Sequence, residues 1–332
     1  MKRLQKLDGH QQRVWCVAWS RKGDYLVSTS SDKSVRVWKP RDGASVGSDS
    51  TTWLSTTLDA AHSRTVRQAA FSPCGRQLAT ASFDGTVVVW QLKEGDFEVL
   101  TTLEGHENEA KSVSWSPSGR YLASASRDKS VWVWEADEDD DYQVCSILQG
   151  HTQDVKCVTW HPDTDLLVST SYDDSIKWYH YDGGDFITTQ SIDSAHSSTV
   201  WAAVFDSSGD QLASCSEDGS VKVWQRVQSD RPVERSHWRL VSTMADCHDG
   251  PIYSIDWCRL TGRLATGSAD GRIRVFAPTT GDDASTSWHE QLSLEKAHDG
   301  EDVNCVRWHP ATAGLLASAG DDNAVRLWHC PL

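Results

Sequence analysis

The sequence predicts an all-β protein that folds as a seven-bladed β-propeller, and three regularities support this prediction. A histidine opens seven copies of one unit, and in six of them an aspartate follows 22 residues later and an aromatic residue at 28. A serine or threonine stands four residues before each aspartate. Between these positions apolar and polar residues alternate with period two, which is typical of short antiparallel strands joined by tight turns. One unit cannot bury both of its faces, so the copies are expected to pack side by side in a closed ring.

The four repeated positions can be read directly along the chain. The histidines are His10, His62, His106, His151, His196, His248 and His298, and the hydroxyl residues are Ser28, Thr80, Ser124, Ser169, Ser214, Thr266 and Ser318. The aspartates are Asp32, Asp84, Asp128, Asp173, Asp218, Asp270 and Asp322, and the aromatic residues are Trp38, Trp90, Trp134, Tyr179, Trp224, Phe276 and Trp328. In the seventh copy both spacings grow by two residues, because one residue enters near Gly300 and another near Ala313. A unit that opens with Gly-His and closes with Trp is the signature of a WD-repeat blade.

The ends of the chain predict how the ring closes. The seventh copy has three strands and lacks a fourth, whereas a short strand precedes the first copy at Arg3–Leu7. We therefore expect residues 3–7 to complete the last blade, so that 1–332 form a single propeller without an exposed sheet edge. Fourth strands of the other six blades are predicted at Trp53–Leu58, Phe97–Leu103, Gln143–Leu148, Phe186–Ile192, Trp238–Met244 and His289–Leu294.

Composition and charge narrow the possible partners. The net charge of −15 disfavours nucleic acid and anionic membranes as main partners. No apolar run approaches the length of a membrane span, and the first ten residues, MKRLQKLDGH, lack the apolar region of a signal peptide. Nine cysteines without a CxxC pair, three of them at one equivalent strand position (Cys16, Cys157 and Cys305), predict core thiols in a reduced, intracellular protein. We expect the protein alone to be a monomer.

The recurring Ser, His and Asp residues invite comparison with a hydrolase. A catalytic triad needs one nucleophile on an exposed, strained turn, but here the set occurs seven times and no copy has a GxSxG motif. The structural interpretation is a buried chain of hydrogen bonds in each blade, represented by His106, Ser124, Asp128 and Trp134. This chain should be incomplete in the sixth blade, where Phe276 has no N–H donor. No zinc, iron–sulfur or nucleotide motif is present, so we expect no metal, no cofactor and no enzymatic activity.

Blade geometry places three positions of each copy at the top entrance of the ring. They are the third and fifth residues after the histidine and the residue before the aspartate. The predicted partner-binding set contains Arg127, Lys111, Arg67, Lys156, Tyr172, Phe83, Trp15, Trp201 and Tyr253. Tryptophan and arginine are enriched at interface hot spots, which favours a binding surface for an acidic, aromatic ligand. The alternative is an ordinary mixed surface on which Glu109, Asp154 and Glu217 screen the basic residues.

Two segments of the chain resemble a known family. LEGHENEAKSVSWSPSGRYLASASRDKSVWVWE (Leu103–Glu135), and QGHTQDVKCVTWHP with SYDDSIKWY after it, are similar to the WD-repeat component of the cytosolic iron–sulfur protein assembly machinery. The resemblance implies a non-catalytic adaptor that works with a small acidic assembly factor and a HEAT-repeat scaffold to deliver clusters to apoproteins. It also implies a functional role for the arginine of SRDKSVW, which is Arg127, and clients that carry a C-terminal tail with an acidic and an aromatic residue.

Alternative functions remain open from the sequence. One is a substrate receptor for acidic or phosphorylated motifs, as in WD-repeat ubiquitin ligases, although no F-box-like segment is present. Another is a histone-tail reader, which would need an acidic central pocket and conflicts with the basic residues at Arg67, Lys111, Arg127 and Lys156. The resemblance places the protein in the cytoplasm and extends its range to the nucleus.

Overall fold

A computed structural model describes residues 1–41, 46–227, 237–279 and 287–331. These residues form 28 strands: β1 (Lys2–Asp8), β2 (Val14–Trp19), β3 (Leu26–Ser30), β4 (Val35–Pro40), β5 (Trp53–Leu58), β6 (Val66–Phe71), β7 (Gln77–Ser82), β8 (Val87–Lys93), β9 (Asp96–Leu103), β10 (Ala110–Trp115), β11 (Tyr121–Ser126), β12 (Val131–Ala136), β13 (Tyr142–Leu148), β14 (Val155–Trp160), β15 (Leu166–Ser171), β16 (Ile176–Tyr181), β17 (Phe186–Ile192), β18 (Val200–Phe205), β19 (Gln211–Ser216), β20 (Val221–Val227), β21 (His237–Met244), β22 (Ile252–Trp257), β23 (Leu264–Ser268), β24 (Ile273–Thr279), β25 (Ser287–Leu294), β26 (Val303–Trp308), β27 (Leu315–Gly320) and β28 (Ala324–His329). Within these ranges there is no helix with the length and apolar character that a membrane crossing requires.

The strands form seven four-stranded antiparallel sheets, which are the blades of the propeller. Blades one to six each contain four consecutive strands, from β2–β5 to β22–β25. Blade seven combines β26, β27 and β28 with β1, whose residues pair with β28 so that Leu7 lies opposite Val325. The seven-bladed fold and the closure of the ring by the N-terminal strand are therefore confirmed.

The outer strands differ slightly from their predicted bounds. Five of them begin one or two residues earlier, at Lys2, Asp96, Tyr142, His237 and Ser287. In blade two the reason is visible, since Asp96 pairs with Lys93 across the hairpin and extends the ladder to the turn. Hydrogen bonding between strands thus continues past the last apolar residue on which the sequence pattern depends.

The core lies between blades, not within them. Val131 and Val133 of β12 pack with Val155 and Val158 of β14 in one cluster of buried residues between blades three and four. At the closing seam, β28 of blade seven packs against β2 of blade one in a second cluster. Each such side chain contributes about 1.5–3 kcal/mol when fully buried. Because every cluster needs two blades, removing one blade would expose apolar surface on both of its neighbours.

Candidate functional site

A buried chain of hydrogen bonds shapes the top loops of the blades. In blade three, Nδ1 of His106 lies 2.8 Å from Asp128 and Nε2 lies 2.8 Å from the hydroxyl of Ser124, which also accepts a bond from the indole of Trp134 at 3.0 Å. The same His–Asp and His–hydroxyl bonds occur in all seven blades.

In blades four and six the aromatic residue at the end of this hydrogen-bond chain is not a tryptophan. In blade four the phenol of Tyr179 lies 3.1 Å from the hydroxyl of Ser169 and takes the place of the indole. In blade six Phe276 has no polar atom, and Thr266 keeps its bond to His248 at 2.7 Å. The hydroxyl of Ser124 is fully buried and already bonded on two sides, so it is not placed to attack a substrate.

The electrostatics of this chain keep the aspartates ionised. Burial opposes the charge on Asp128, but hydrogen bonds from His106 and Ser130 outweigh it and hold the pKa of Asp128 well below its usual range. The backbone N–H of Glu107 also donates to this carboxylate. Each aspartate thereby joins the loop that follows the histidine to the turn between the second and third strands.

A second connection links the predicted rim positions. The carbonyl of the third residue after the histidine accepts a hydrogen bond from the N–H of the residue before the aspartate, as from Arg127 to Glu109 at 3.0 Å and from Tyr172 to Asp154 at 2.9 Å. Equivalent bonds occur within each of the other five blades. The third residue after the histidine and the residue before the aspartate are therefore neighbours within each blade.

The fifth residue after the histidine, or the sixth in blade seven with its inserted residue, is the extra residue of a β-bulge in every blade. In blade three Ala110 pairs with Ser126 and Ser112 pairs with Ala125, which leaves Lys111 without an opposite residue. The same register shift falls on Trp15, Arg67, Lys156, Trp201, Tyr253 and Asn304. A bulge re-aims the side chain of its extra residue, and here seven bulges surround the entrance of the central channel. We call these seven residues the channel mouth.

At the outer rim, Glu109 connects two arginines. It accepts a hydrogen bond from Arg127 at 3.1 Å and another from Arg64 at 3.1 Å, and Arg64 also donates to the carbonyl of Phe83 at 2.6 Å. Burial opposes ionisation of Glu109, but the two guanidinium groups outweigh it and lower its pKa. The side chains of Arg64 and Arg127 are 56% and 54% exposed. We call Arg64 and Arg127 the rim pair.

The two lysines of the predicted set, Lys111 and Lys156, lie at the channel mouth. Lys111 and Lys156 both form ion pairs with Asp154, the latter at 3.6 Å. The ammonium of Lys156 lies 5.0 Å from the ring centroid of Tyr172 and 4.7 Å from that of Trp201, and Trp201 contacts Tyr253 edge-on at 5.0 Å. Cation–π contact of this kind favours a charged ammonium at the edge of an aromatic surface.

Arg67 occupies a different environment. Its guanidinium lies 4.9 Å from the ring centroid of Trp15, and burial lowers its pKa. Arg13 approaches the same ring at 5.5 Å and pairs with Asp321 at 3.5 Å. The ion pairs found among the described residues include none that involves Arg67.

The structure thus divides the four predicted basic residues into separate groups instead of one cluster. Arg127 lies on the rim with Glu109, Lys111 and Lys156 share Asp154, and Arg67 lies on Trp15. Sequence reasoning missed Arg64, because it considered the third and fifth residues after the histidine and the residue before the aspartate, whereas Arg64 is the second residue after His62. Glu109 and Asp154, which the alternative of an ordinary mixed surface named as screening residues, do form ion pairs with these basic residues.

Cysteine and histidine chemistry gives no competing site in the described part of the chain. The nine cysteines are free thiols, and Cys16 and Cys305 both contact the carbonyl oxygen of Val17, at 3.4 and 3.6 Å. Among the described residues, no group of three or more His, Cys, Asp or Glu side chains is arranged to hold a metal ion.

Comparison with known proteins identifies the family. Seven segments match the family model described as "WD domain, G-beta repeat", at residues 1–39, 52–91, 97–135, 142–180, 187–225, 238–276 and 289–329. The chain is 51% identical to Protein CIA1 of Arabidopsis thaliana over 98% of this chain and 95% of that protein. It is 43% identical to the probable cytosolic iron-sulfur protein assembly protein Ciao1 of Culex quinquefasciatus, over 98% and 96%. It is 40% identical to the probable cytosolic iron-sulfur protein assembly protein 1 of Mycosarcoma maydis, over 98% and 92%.

The chain belongs to the WD-repeat family of cytosolic iron–sulfur protein assembly proteins. The resemblance inferred from Leu103–Glu135 is therefore confirmed. The bounds of the WD segments, compared with those of the blades, also explain how the ring closes. The segment 97–135 begins in β9, the outer strand of blade two, and ends in β12 of blade three. The repeat is out of phase with the blade by one strand, so the first WD segment begins with β1, which completes blade seven.

Proposed function

We propose that this propeller is a non-catalytic adaptor in cytosolic iron–sulfur protein assembly and that its top face recruits client apoproteins for cluster insertion. Three relatives that match nearly the whole chain support the pathway, since two carry cytosolic iron–sulfur assembly in their names and one is named CIA1. In this proposal the protein acts in the cytosol, together with a small acidic assembly factor and a HEAT-repeat scaffold. Its work is recognition, because the repeated His, Ser and Asp residues are engaged with one another inside the blades.

The observation that carries client recruitment is a basic arc on an acidic protein. Blades two to four present five basic side chains, four of which pair with two carboxylates, in a chain whose net charge is −15. The basic residues are Arg64, Arg67, Lys111, Arg127 and Lys156. Aromatic rings stand beside them, with Tyr172 half exposed and Trp201 next to Lys156. Such a surface suits a short peptide that ends in an acidic residue, an aromatic residue and a free carboxylate.

The test is affinity capture of the tagged protein from cells, followed by mass spectrometry of the bound proteins. Arg127→Glu should lose iron–sulfur apoproteins and keep the assembly partners, because it reverses a charge on the top face alone. Arg120→Glu is the matched control: Arg120 also pairs with a carboxylate, Glu135, but it lies in the turn at the opposite end of β10.

The same capture decides between adaptor and ubiquitin-ligase receptor. Recovery of iron–sulfur apoproteins that depends on Arg127 supports the adaptor. Recovery of ligase subunits with phosphorylated proteins, and of no iron–sulfur apoprotein, would contradict it.

A further inference from the structure

The basic arc has two levels that differ in exposure. The rim pair extends into solvent, with more than half of each side chain exposed. The side chains of Lys111 and Lys156 at the channel mouth are 15% and 9% exposed. A carboxylate at the mouth would therefore lie in a less hydrated environment, where its interaction with a cation is stronger than at the rim.

Arg67 is the member of the mouth whose charge is least compensated by the described residues. Lys111 and Lys156 have Asp154, and the rim pair has Glu109, whereas Arg67 has the face of Trp15 and no ion pair among the residues that the structure describes. The thiols of Cys16, Cys305 and Cys157 lie close enough to favour the charge on Arg67, whereas Arg307 opposes it. A desolvated guanidinium without an anion is costly, so a ligand carboxylate placed there would satisfy it.

The shape of the mouth favours the end of a chain. Seven bulge residues surround it, among them Trp15, Trp201 and Tyr253. An extended peptide can cross this ring only above the side chains, whereas a C-terminal residue can enter it end-on. A terminal aromatic side chain would then meet the rings while its carboxylate faces Arg67, whose planar fork matches a carboxylate.

We propose that the two acids of a client tail are read at two different places: the channel mouth binds the terminal carboxylate through Arg67, and the rim pair binds the acidic side chain that precedes it. This inference rests on the proposed function and adds an assignment of each acid to its own cations. Since Glu109 already occupies the rim pair, a ligand acid there competes with an existing partner and gains less than one at Arg67.

A mutant cycle between peptide and protein tests the assignment. Three fluorescent peptides are titrated by polarisation: a parent ending in Glu-Trp with a free carboxylate, its C-terminal amide, and a Gln-Trp version. The proteins are the wild type, Arg67→Gln, the double variant Arg64→Gln with Arg127→Gln, and Arg13→Gln. Arg13 is the matched control, because it lies on the same ring of Trp15 but pairs with Asp321.

For the wild type we expect amidation to weaken binding about 10- to 100-fold, the size of a hydrogen bond to a charged group. The Gln-Trp peptide should lose about two- to fivefold, as for an exposed ion pair. The amide and the parent peptide should bind Arg67→Gln with equal affinity. The Gln-Trp peptide should still bind this variant about two- to fivefold more weakly than the parent does. For the double rim variant the parent and the Gln-Trp peptide should bind with equal affinity, while amidation should still weaken binding. Arg13→Gln should behave as the wild type does.

Each contrary outcome has a distinct meaning. Failure of the parent peptide to bind the wild type contradicts both the proposed function and this inference. If amidation of the peptide weakens binding to Arg67→Gln as much as it weakens binding to the wild type, this inference alone is contradicted. Should Arg67→Gln melt below the wild type, Arg67→Lys provides the second variant: it keeps the charge but loses the fork, so its amidation penalty should fall between those of the wild type and Arg67→Gln.

Discussion

The ammonium group of Lys156 lies 4.7 Å from the ring centroid of Trp201. This contact places a cation inside the channel mouth, where only 9% of its side chain is exposed. Burial, reinforced by the charges of Lys111 and Arg67, lowers the pKa of Lys156 to about 8, although Asp154 opposes the shift. The charge of this group, and with it the field in the mouth, therefore changes just above neutral pH.

Binding of a carboxylate peptide should depend on pH through Lys156. Below a pKa of about 8 the ammonium is charged and attracts the ligand, and above it the neutral amine does not. We expect affinity to fall about two- to fivefold between pH 7 and pH 9, the size of a partly screened ion pair. Lys156→Arg stays charged throughout this range and should show no such fall. A wild-type affinity that is flat from pH 7 to pH 9 would show that Lys156 does not contribute.

His106→Ala should lower the free energy of unfolding by about 1–3 kcal/mol, because Asp128 and Ser124 each lose one of their buried hydrogen-bond partners. Chemical denaturation measures the change. The control is His289→Ala, which removes an exposed histidine from β25 and should have little effect. Equal stability of His106→Ala and the wild type would mean that these bonds contribute nothing to the fold.

Deletion of residues 1–8 should destabilise the ring and promote self-association. The deletion removes β1 and leaves the hydrogen-bonding groups of β28 along a sheet edge, while Leu7 no longer covers the cluster at the closing seam. Size-exclusion chromatography and thermal melting report both effects. A monomeric deletion variant with an unchanged melting temperature would show that β28 needs no partner strand.

The architecture could be predicted because it depends on spacing. The histidine, hydroxyl, aspartate and aromatic positions recur at nearly fixed intervals, and each position fills one place in a hydrogen-bond chain such as that of His106. The role of β1 also followed, since a blade with three strands needs a fourth. The exact start of a strand, such as that of β9 at Asp96, could not be predicted from the apolar pattern, because backbone pairing requires no apolar residue.

The site could be predicted only as a set of positions. The bulge at Lys111 leaves no mark in the period-two pattern, because one extra residue in a six-residue strand looks like ordinary variation. Which carboxylate neutralises which cation depends on contacts between blades: Asp154 of blade four reaches Lys111 of blade three, and Glu109 of blade three reaches Arg64 of blade two. Spacing within one repeat carries no information about such contacts, and for that reason Arg64 was missed.

The proposed function requires that the top face bind a peptide with a free C-terminal carboxylate at Arg127 and its neighbours. The most direct measurement is fluorescence polarisation of the Glu-Trp peptide against the wild type, Arg127→Glu and the opposite-face control Arg120→Glu. Arg127→Glu should weaken binding by about 2 kcal/mol or more, because the new carboxylate stands beside Glu109 and repels the ligand. Arg120→Glu should bind as the wild type does. Equal affinities for the wild type and Arg127→Glu, with both proteins folded, would contradict the proposed function.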